Sequence, residues 1–440
     1  MANIKFSAFT QKVLQADVDF LVGYTGTDNV RIAPSTIGQG VYVLKAGDTM
    51  TGDLLMNGNS AVLFNNTNNN NPYHIFNTGT NLATLQIGRS ATPGTNVVMT
   101  FDNGGKIGIN TASPNAPLDL VGRMGINDGA NNVCIGDLAG STVSTGDKNV
   151  FVGGESGQTN TVGYKNTALG YQALASNADG SSNVAIGYRA LLTMDPAAAT
   201  EMYNVVVGYD AGLSVTSGTN NTIMGGFAGD ALTTGSNNVA IGRSALSTED
   251  TYGFNVAVGT YALLNQNAGD NAYNTAVGYG AGENITTGAL NTIIGGSAGA
   301  AMNTGARNVL IGVRAGDALT DGNYNVAIGY QALTDDDQGE HNTAVGYFAL
   351  ENYNGGNNEG YNVVMGSSAG RNISTGQFNQ AVGAFAIGNG TTTGNYNTTM
   401  GYYAGYDLTS GTQNILLGSY AGDNLSTGTR NVVVGYGFRQ

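Results

Sequence analysis

Tryptophan is absent from the 440 residues, cysteine occurs once, histidine twice and proline six times. With Cys134 alone no internal disulfide can form, and His74 and His341 are too few and too far apart for a histidine-built metal site. Charge is scarce as well: charged residues are 10% of the chain, against about 25% in ordinary globular domains. The few present are unbalanced, 16 Lys and Arg against 30 Asp and Glu, for a net charge of −14. That sign argues against a phosphate backbone or an anionic membrane, so no nucleic acid partner is expected. No apolar run approaches the ~18 residues of a membrane span, and the opening Met1-Ala-Asn-Ile-Lys-Phe-Ser7 holds no stretch of signal-peptide length. Neither membrane insertion nor an export leader is expected. What fills the chain instead is glycine, 69 residues, under a hydrophobic fraction of 41%. Glycine and proline together stay below the ~25–30% of low-complexity disorder, so a core can be buried beneath a cover of Asn, Thr, Ser and Gly.

Self-similarity dominates the sequence from residue 132 onward. The unit Asn-Val/Thr-x-aliphatic-Gly, usually followed by x-x-Ala, occurs eighteen times, from Asn132 to the unit at Asn431; thirteen of the seventeen spacings are 17 residues. With the Asn numbered 0, position 3 is aliphatic or Met in every unit and position 4 is always Gly. Asn183, Asn238 and Asn325 with Gly187, Gly242 and Gly329 represent these two structural positions. A short β-branched run stopped by glycine predicts a strand of four or five residues closed by a turn. No unit offers the 3.6-residue apolar spacing of a helix.

Position 8 is Gly in ten units, nine of which carry an apolar residue at position 11, such as Leu232, Ile285, Met302 or Leu425. In seven units position 8 is Leu or Ile, as in Leu174, Leu246, Leu333 and Ile387, and position 11 is usually polar. This predicts two alternative ways of filling one core slot, since an empty slot leaves a cavity and a doubly filled one overpacks. A unit this small cannot bury a face alone, so units must stack. The expected fold is all-β: a parallel β-solenoid of about 17-residue coils over 132–440, on the order of 85 Å long at the ~4.8 Å strand spacing. The stacked Asn could form a hydrogen-bonded ladder, or could simply suit a turn.

Before the repeats, residues 1–39 read as a compact cap with two strand-like runs in Phe20-Leu-Val-Gly-Tyr-Thr-Gly-Thr-Asp-Asn-Val-Arg-Ile32, and residues 40–131 as a β-rich shaft. Lys45-Ala-Gly-Asp-Thr-Met-Thr-Gly-Asp-Leu-Leu-Met-Asn57 resembles a motif of phage tail-fibre shafts. Gly105-Lys-Ile-Gly-Ile-Asn-Thr-Ala-Ser-Pro-Asn-Ala-Pro-Leu-Asp-Leu-Val-Gly122 resembles a second fibre element, and the opening hairpin is similar to the N-terminus of structural proteins in tailed phages of cyanobacteria. Asn183-Val-Ala-Ile-Gly187 is similar to the head repeats of trimeric autotransporter adhesins, whose coils form parallel β-rolls, although the period here is longer and no membrane-anchor barrel follows. These resemblances imply a virion fibre on the particle exterior, attached to virion proteins through 1–39 and assembled as a homotrimer. A polysaccharide-cleaving tailspike and a spacer or capsid decoration without a host ligand are the alternatives.

Chemistry is hard to find. The one dense acidic cluster, Asp335, Asp336, Asp337 and Glu340, has no matching cluster in adjacent units and reads as a solvated loop, as does Glu249-Asp250. The glycines of Gly225-Gly-Phe-Ala-Gly229 recur with the repeat, where turning explains them, and no helix follows as a phosphate loop requires. His341 stands where other units carry tyrosine, and Cys134 reads as a small buried residue. No catalytic residue, cofactor or metal is expected. Position 5 is Tyr in eight units, Tyr171, Tyr188, Tyr209, Tyr279, Tyr330, Tyr347, Tyr402 and Tyr436, a stripe that could stack on sugar rings or pack between subunits. All four lengthened units insert between position 8 and the next Asn: Leu191–Tyr203, Leu263–Tyr273, Leu350–Tyr361 and Ile387–Tyr396. These loops, with Tyr203, Tyr273, Asn352, Tyr353, Tyr361 and Tyr396, are the candidates for contact with a host surface glycan, neutral drift at an exposed corner being the other reading.

Overall fold

A computed structural model describes residues 131–356 and 359–437, and before them the strand backbones at 21–120 given next. Every regular element described is a strand. The chain divides into two compact units, Met1–Met124 and Gly125–Gln440.

In the first unit, β1 (Leu21–Thr25) and β2 (Asp28–Ile32) form an antiparallel hairpin whose pairing runs from Leu21↔Ile32 to Thr25↔Asp28. A six-stranded sheet follows in sequence order: β3 (Ala61–Phe64), β4 (Tyr73–Asn77), β5 (Leu85–Gly88), β6 (Val97–Phe101), β7 (Ile107–Ile109) and β8 (Leu118–Leu120). Its neighbours are antiparallel except the last pair, where β8 lies parallel to β7. The resemblance segment at 105–122 contributes β7 and β8, whereas the one at 45–57 lies outside the described residues.

The second unit is the parallel solenoid. Coils 1 to 18 start at the repeating asparagines, and each places a three-residue strand at positions 1–3, from Val133–Ile135 to Val432–Val434. Identical positions pair between successive coils, as in Val150↔Val133 and Leu417↔Val434, so every strand bonds only to the coils before and after it. Position 2 points inward and positions 1 and 3 outward, the alternation a pleated strand imposes.

Two physical demands fall on the glycine at position 4. Gly187, Gly242 and Gly329 have φ of +134°, +133° and +139°, a region L side chains rarely adopt. Their Cα atoms also lie against the next coil: an added Cβ would come within 2.2 Å of Gly208 O, 2.5 Å of the Gly259 carbonyl and 2.3 Å of Gly346 O. Positions 6, 8 and the residue before each Asn turn the chain in the left-handed region, as at Gln331 (φ 51°), Leu333 (φ 54°) and His341 (φ 59°). Glycine at position 8 removes that strain, and leucine there accepts it to fill the core.

The core differs from the expected exchange between positions 8 and 11. Position 11 is interior whichever residue stands at 8: Leu232 and Ile285 are fully buried, and so are Asn177 and Gln266. The partner of position 8 is position 2. All seven coils with Leu or Ile at 8 have Ala at 2, as in Ala168, Ala240 and Ala327, whereas glycine at 8 accompanies Phe151, Val206, Ile223 or Leu310. Contacts explain the exchange, because a Cβ at Gly316 would meet Leu310 Cδ2 at 2.9 Å and one at Gly229 would meet Ile223 Cδ1 at 3.2 Å. Coil 9 departs, with Ala276 at 2 and Gly282 at 8, and there Ile293 and Leu263 of the adjacent coils fill the space.

Asparagine at position 0 forms the ladder. At every junction the Asn backbone N–H donates to Oδ1 of the Asn in the preceding coil, over 2.8–3.2 Å. Asn183, Asn238 and Asn325 accept in this way from Asn204, Asn255 and Asn342. In regular coils Nδ2 donates to the carbonyl at position 14, as Asn325 does to Gly339 at 2.7 Å. The side chain thereby satisfies backbone groups at a buried corner, where leaving them dry is costly.

Candidate functional site

Two parts of the solenoid could carry function: its outward strand face and the lengthened corner. On the strand face no charged residue stands at position 1 or 3 in any coil, and position 5 carries only Asp137 and Arg243. Many of these side chains are open to solvent, including Leu169, Ile294, Met365 and Met400 at position 3. The position-5 tyrosines line one margin, with Tyr279 the most open of the internal ones at 61%. Aromatic residues before the next Asn line the other.

Because coils stack at strand spacing, aromatic residues at one position stack too. Tyr324, His341, Tyr361, Phe378 and Tyr396 form a continuous ladder with centroid separations of 4.8, 4.8, 5.1 and 4.8 Å and interplanar angles of 15° or less. His341 therefore fills an aromatic slot between two tyrosines. Tyr171, Tyr188 and Tyr209 stack likewise at 5.7 and 5.0 Å, and Tyr330 on Tyr347 at 5.5 Å. Rings in such ladders turn their faces to one another and their edges outward. A sugar ring stacks on a ring face, and here those faces are free only at ladder ends. An apolar protein surface fits the exposed edges better.

The residues expected on host-contact loops do not gather into one site. Tyr203, Tyr273, Tyr361 and Tyr396 directly precede an Asn and lie exposed along the strand face. Asn352 is half-buried, its Nδ2 donating to Asn372 Oδ1 at 2.7 Å. Tyr353 is fully buried, which removes it as a host-contact residue. It follows Leu350 by three residues, as position 11 follows 8 in any regular coil, so the insertion begins after it.

The acidic cluster also departs from the solvated loop expected. Asp335 is exposed and Asp337 half-buried, but Asp336 is fully buried at position 11 of coil 12. Its Oδ1 accepts the Gly339 N–H at 2.8 Å. Burial pushes its pKa up to about 7, and the charge of Asp337 adds to the rise. Glu249 is fully buried at the same position of coil 7, accepting N–H groups of Tyr252 and Ala268 at 3.2 and 3.4 Å, and burial raises its pKa as well. The repeat held the signal: both acids stand where other coils place Leu232 or Ile285. An enclosed carboxyl cannot reach a saccharide, so the raised pKa of Asp336 is a stability property. Cys134, expected buried, is half-buried in the first coil. Among the described residues no group of three His, Cys, Asp or Glu side chains could hold a metal ion.

Asp336 makes stability depend on pH. Its folded pKa lies above the ordinary 3.8, so its contribution is fully present below that value and is lost as pH rises through about 7. The difference corresponds to roughly 4 kcal/mol between the protonated and ionised limits. The thermal midpoint should therefore rise as pH is lowered from 8 to 5, and Asp336→Asn should flatten that slope. A midpoint indifferent to pH in the wild type would remove the buried-acid account. No family model, curated protein or solved structure matches the chain.

Proposed function

We propose that this chain is a structural fibre of a phage virion, a homotrimer carried on the particle exterior and attached through residues 1–39. One observation carries the reading: the solenoid is a rod with a charge-free strand face running its length, in a chain with little other chemistry. At ~4.8 Å per coil and ~3.3 Å per residue, that face measures on the order of 1,000 Å², more than the ~800 Å² per partner of a stable interface. Only a partner with the same rise meets all eighteen coils in register, which favours parallel copies of this chain. The two aromatic margins differ, so contact of one with the other is heterologous and closes into a ring. The three resemblances in the N-terminal third support the phage context.

A tailspike enzyme would need two carboxylates across a groove, and the enclosure of Asp336 and Glu249 counts against it. Immunogold labelling of intact particles should place the protein on projecting fibres, and deleting residues 1–39 should leave a folded rod that no longer enters virions. Labelling confined to the particle interior, or normal incorporation of the deletion, contradicts the proposal. If shortening all four lengthened corners leaves adsorption unchanged, the fibre is a spacer without a host ligand at these loops.

A further inference from the structure

Coils 12 and 13 contain four buried polar side-chain atoms without a partner: Asp336 Oδ2, Asp337 Oδ1, Asn342 Nδ2 and Tyr353 Oη. Asp336, Asn342 and Tyr353 are fully buried, whereas Asp337 is half-buried. The regular register shows how near these positions lie to one another. Asn177 donates to Asn160 at 3.0 Å, joining position 11 of successive coils, and Asp336 and Tyr353 are the same pair ten coils along. Asn274 donates to Gln266 at 2.6 Å, joining position 0 to position 11 of the coil before, which is the relation of Asn342 to Asp336. Burial raises the pKa of the Tyr353 hydroxyl, and the charge of Asp336 raises it further, so the two groups feel each other without bonding.

Two of these oxygens lie close against glycine backbone. A Cβ at Gly339 would lie 2.3 Å from Asp336 Oδ2, and one at Gly355 would lie 2.3 Å from Tyr353 Oη. The corresponding corner of coils 7 and 8 shows what a longer acid does: Glu249, with one more methylene, reaches the Ala268 N–H of the lengthened coil with its second oxygen. Asp336 accepts the Gly339 N–H through Oδ1. In coil 13 the lengthening has also taken from Asn342 the position-14 carbonyl that regular coils supply, and the matching Asn255 of lengthened coil 8 is likewise unpartnered at Nδ2.

We propose that coils 12 and 13 enclose one structural water molecule, held by Asp336 Oδ2, Asn342 Nδ2 and Tyr353 Oη. The donor and acceptor pattern selects water. Its lone pairs accept from the Asn342 amide and the Tyr353 hydroxyl, and one of its hydrogens is donated to Asp336, three bonds being usual for a buried water. A cation is disfavoured because two of the three groups present hydrogens to the site. The water stands in for the carbonyl lost by the insertion and ties the lengthened coil to the regular one before it.

Tyr353→Phe tests this through its sign. If the hydroxyl is dry, removing it relieves an unsatisfied donor and leaves stability unchanged or raised; if it holds water, removal lowers the thermal midpoint, by ~2–4 °C. We expect the lower midpoint and, at pH 5, where Asp336 is un-ionised so that its replacement relieves no buried charge, a double variant with Asp336→Asn whose loss is smaller than the sum of the two singles. A high-resolution crystal structure of the unaltered chain should show a water peak within hydrogen-bond distance of all three atoms. An unchanged or raised midpoint, additive losses, or no such peak would each overturn the proposal, and none of these results bears on whether the rod is a virion fibre.

Discussion

Replacing Gly329 by valine should break the solenoid between coils 12 and 13, and Gly242→Val should do the same between coils 7 and 8. Both glycines combine a φ near +135° with a backbone contact to the glycine of the next coil. A β-branched side chain resists the first, and no rotamer relieves the second, because the clash is between Cβ and main-chain carbonyl atoms. A loss on the order of 4 kcal/mol or more is expected, within the range of severe single substitutions. In a stack held by nearest-neighbour contacts, such a defect should also split one melting transition into two. Gly435 provides the control: its φ is +135° but nothing lies within 4 Å of its added Cβ. Gly435→Ala should therefore cost only the backbone strain, about 1–3 kcal/mol. Equal destabilisation at Gly435 and Gly329 by circular dichroism melting would show that contact between coils is not what the glycine protects.

The second large effect concerns assembly. Replacing both Ile294 and Met365 by Glu should leave each chain folded, since these side chains point outward and are 39% and 44% exposed. It should nevertheless convert the proposed trimer to monomers, a threefold fall in mass by light scattering, because that trimer would then enclose unpaired carboxylates at several kcal/mol per ion. An interface whose charges are confined to a few margin residues should also depend only weakly on salt, in contrast to one held by ion pairs. A monomeric wild-type chain, or a trimer unaffected by both substitutions, would remove the strand face as the contact surface.

Sequence alone determined the period, a short strand ending at the glycine turn and the parallel stack, although each strand has three residues where four or five were expected. The reason is that a solenoid is nearly one-dimensional: each residue meets its own equivalent one coil away, so a pattern at fixed spacing is already a list of contacts. Tyr353 and Asp336 show where that legibility ends. Tyrosine and aspartate usually lie near solvent, yet both occupy position 11, and the backbone carries that position inward whatever stands there. The trade between positions 2 and 8 was present in the letters, in the seven alanines that accompany Leu or Ile. It gained meaning only when the two side chains were seen to enter one space from opposite walls. The aromatic ladders needed the structure as well: a tyrosine repeated every 17 residues announces a stripe, but the spacing between coils decided that rings at one position of successive coils, as in Tyr171, Tyr188 and Tyr209, cover one another's faces, whereas Tyr279, Tyr402 and Tyr436 meet their aromatic neighbours edge-on.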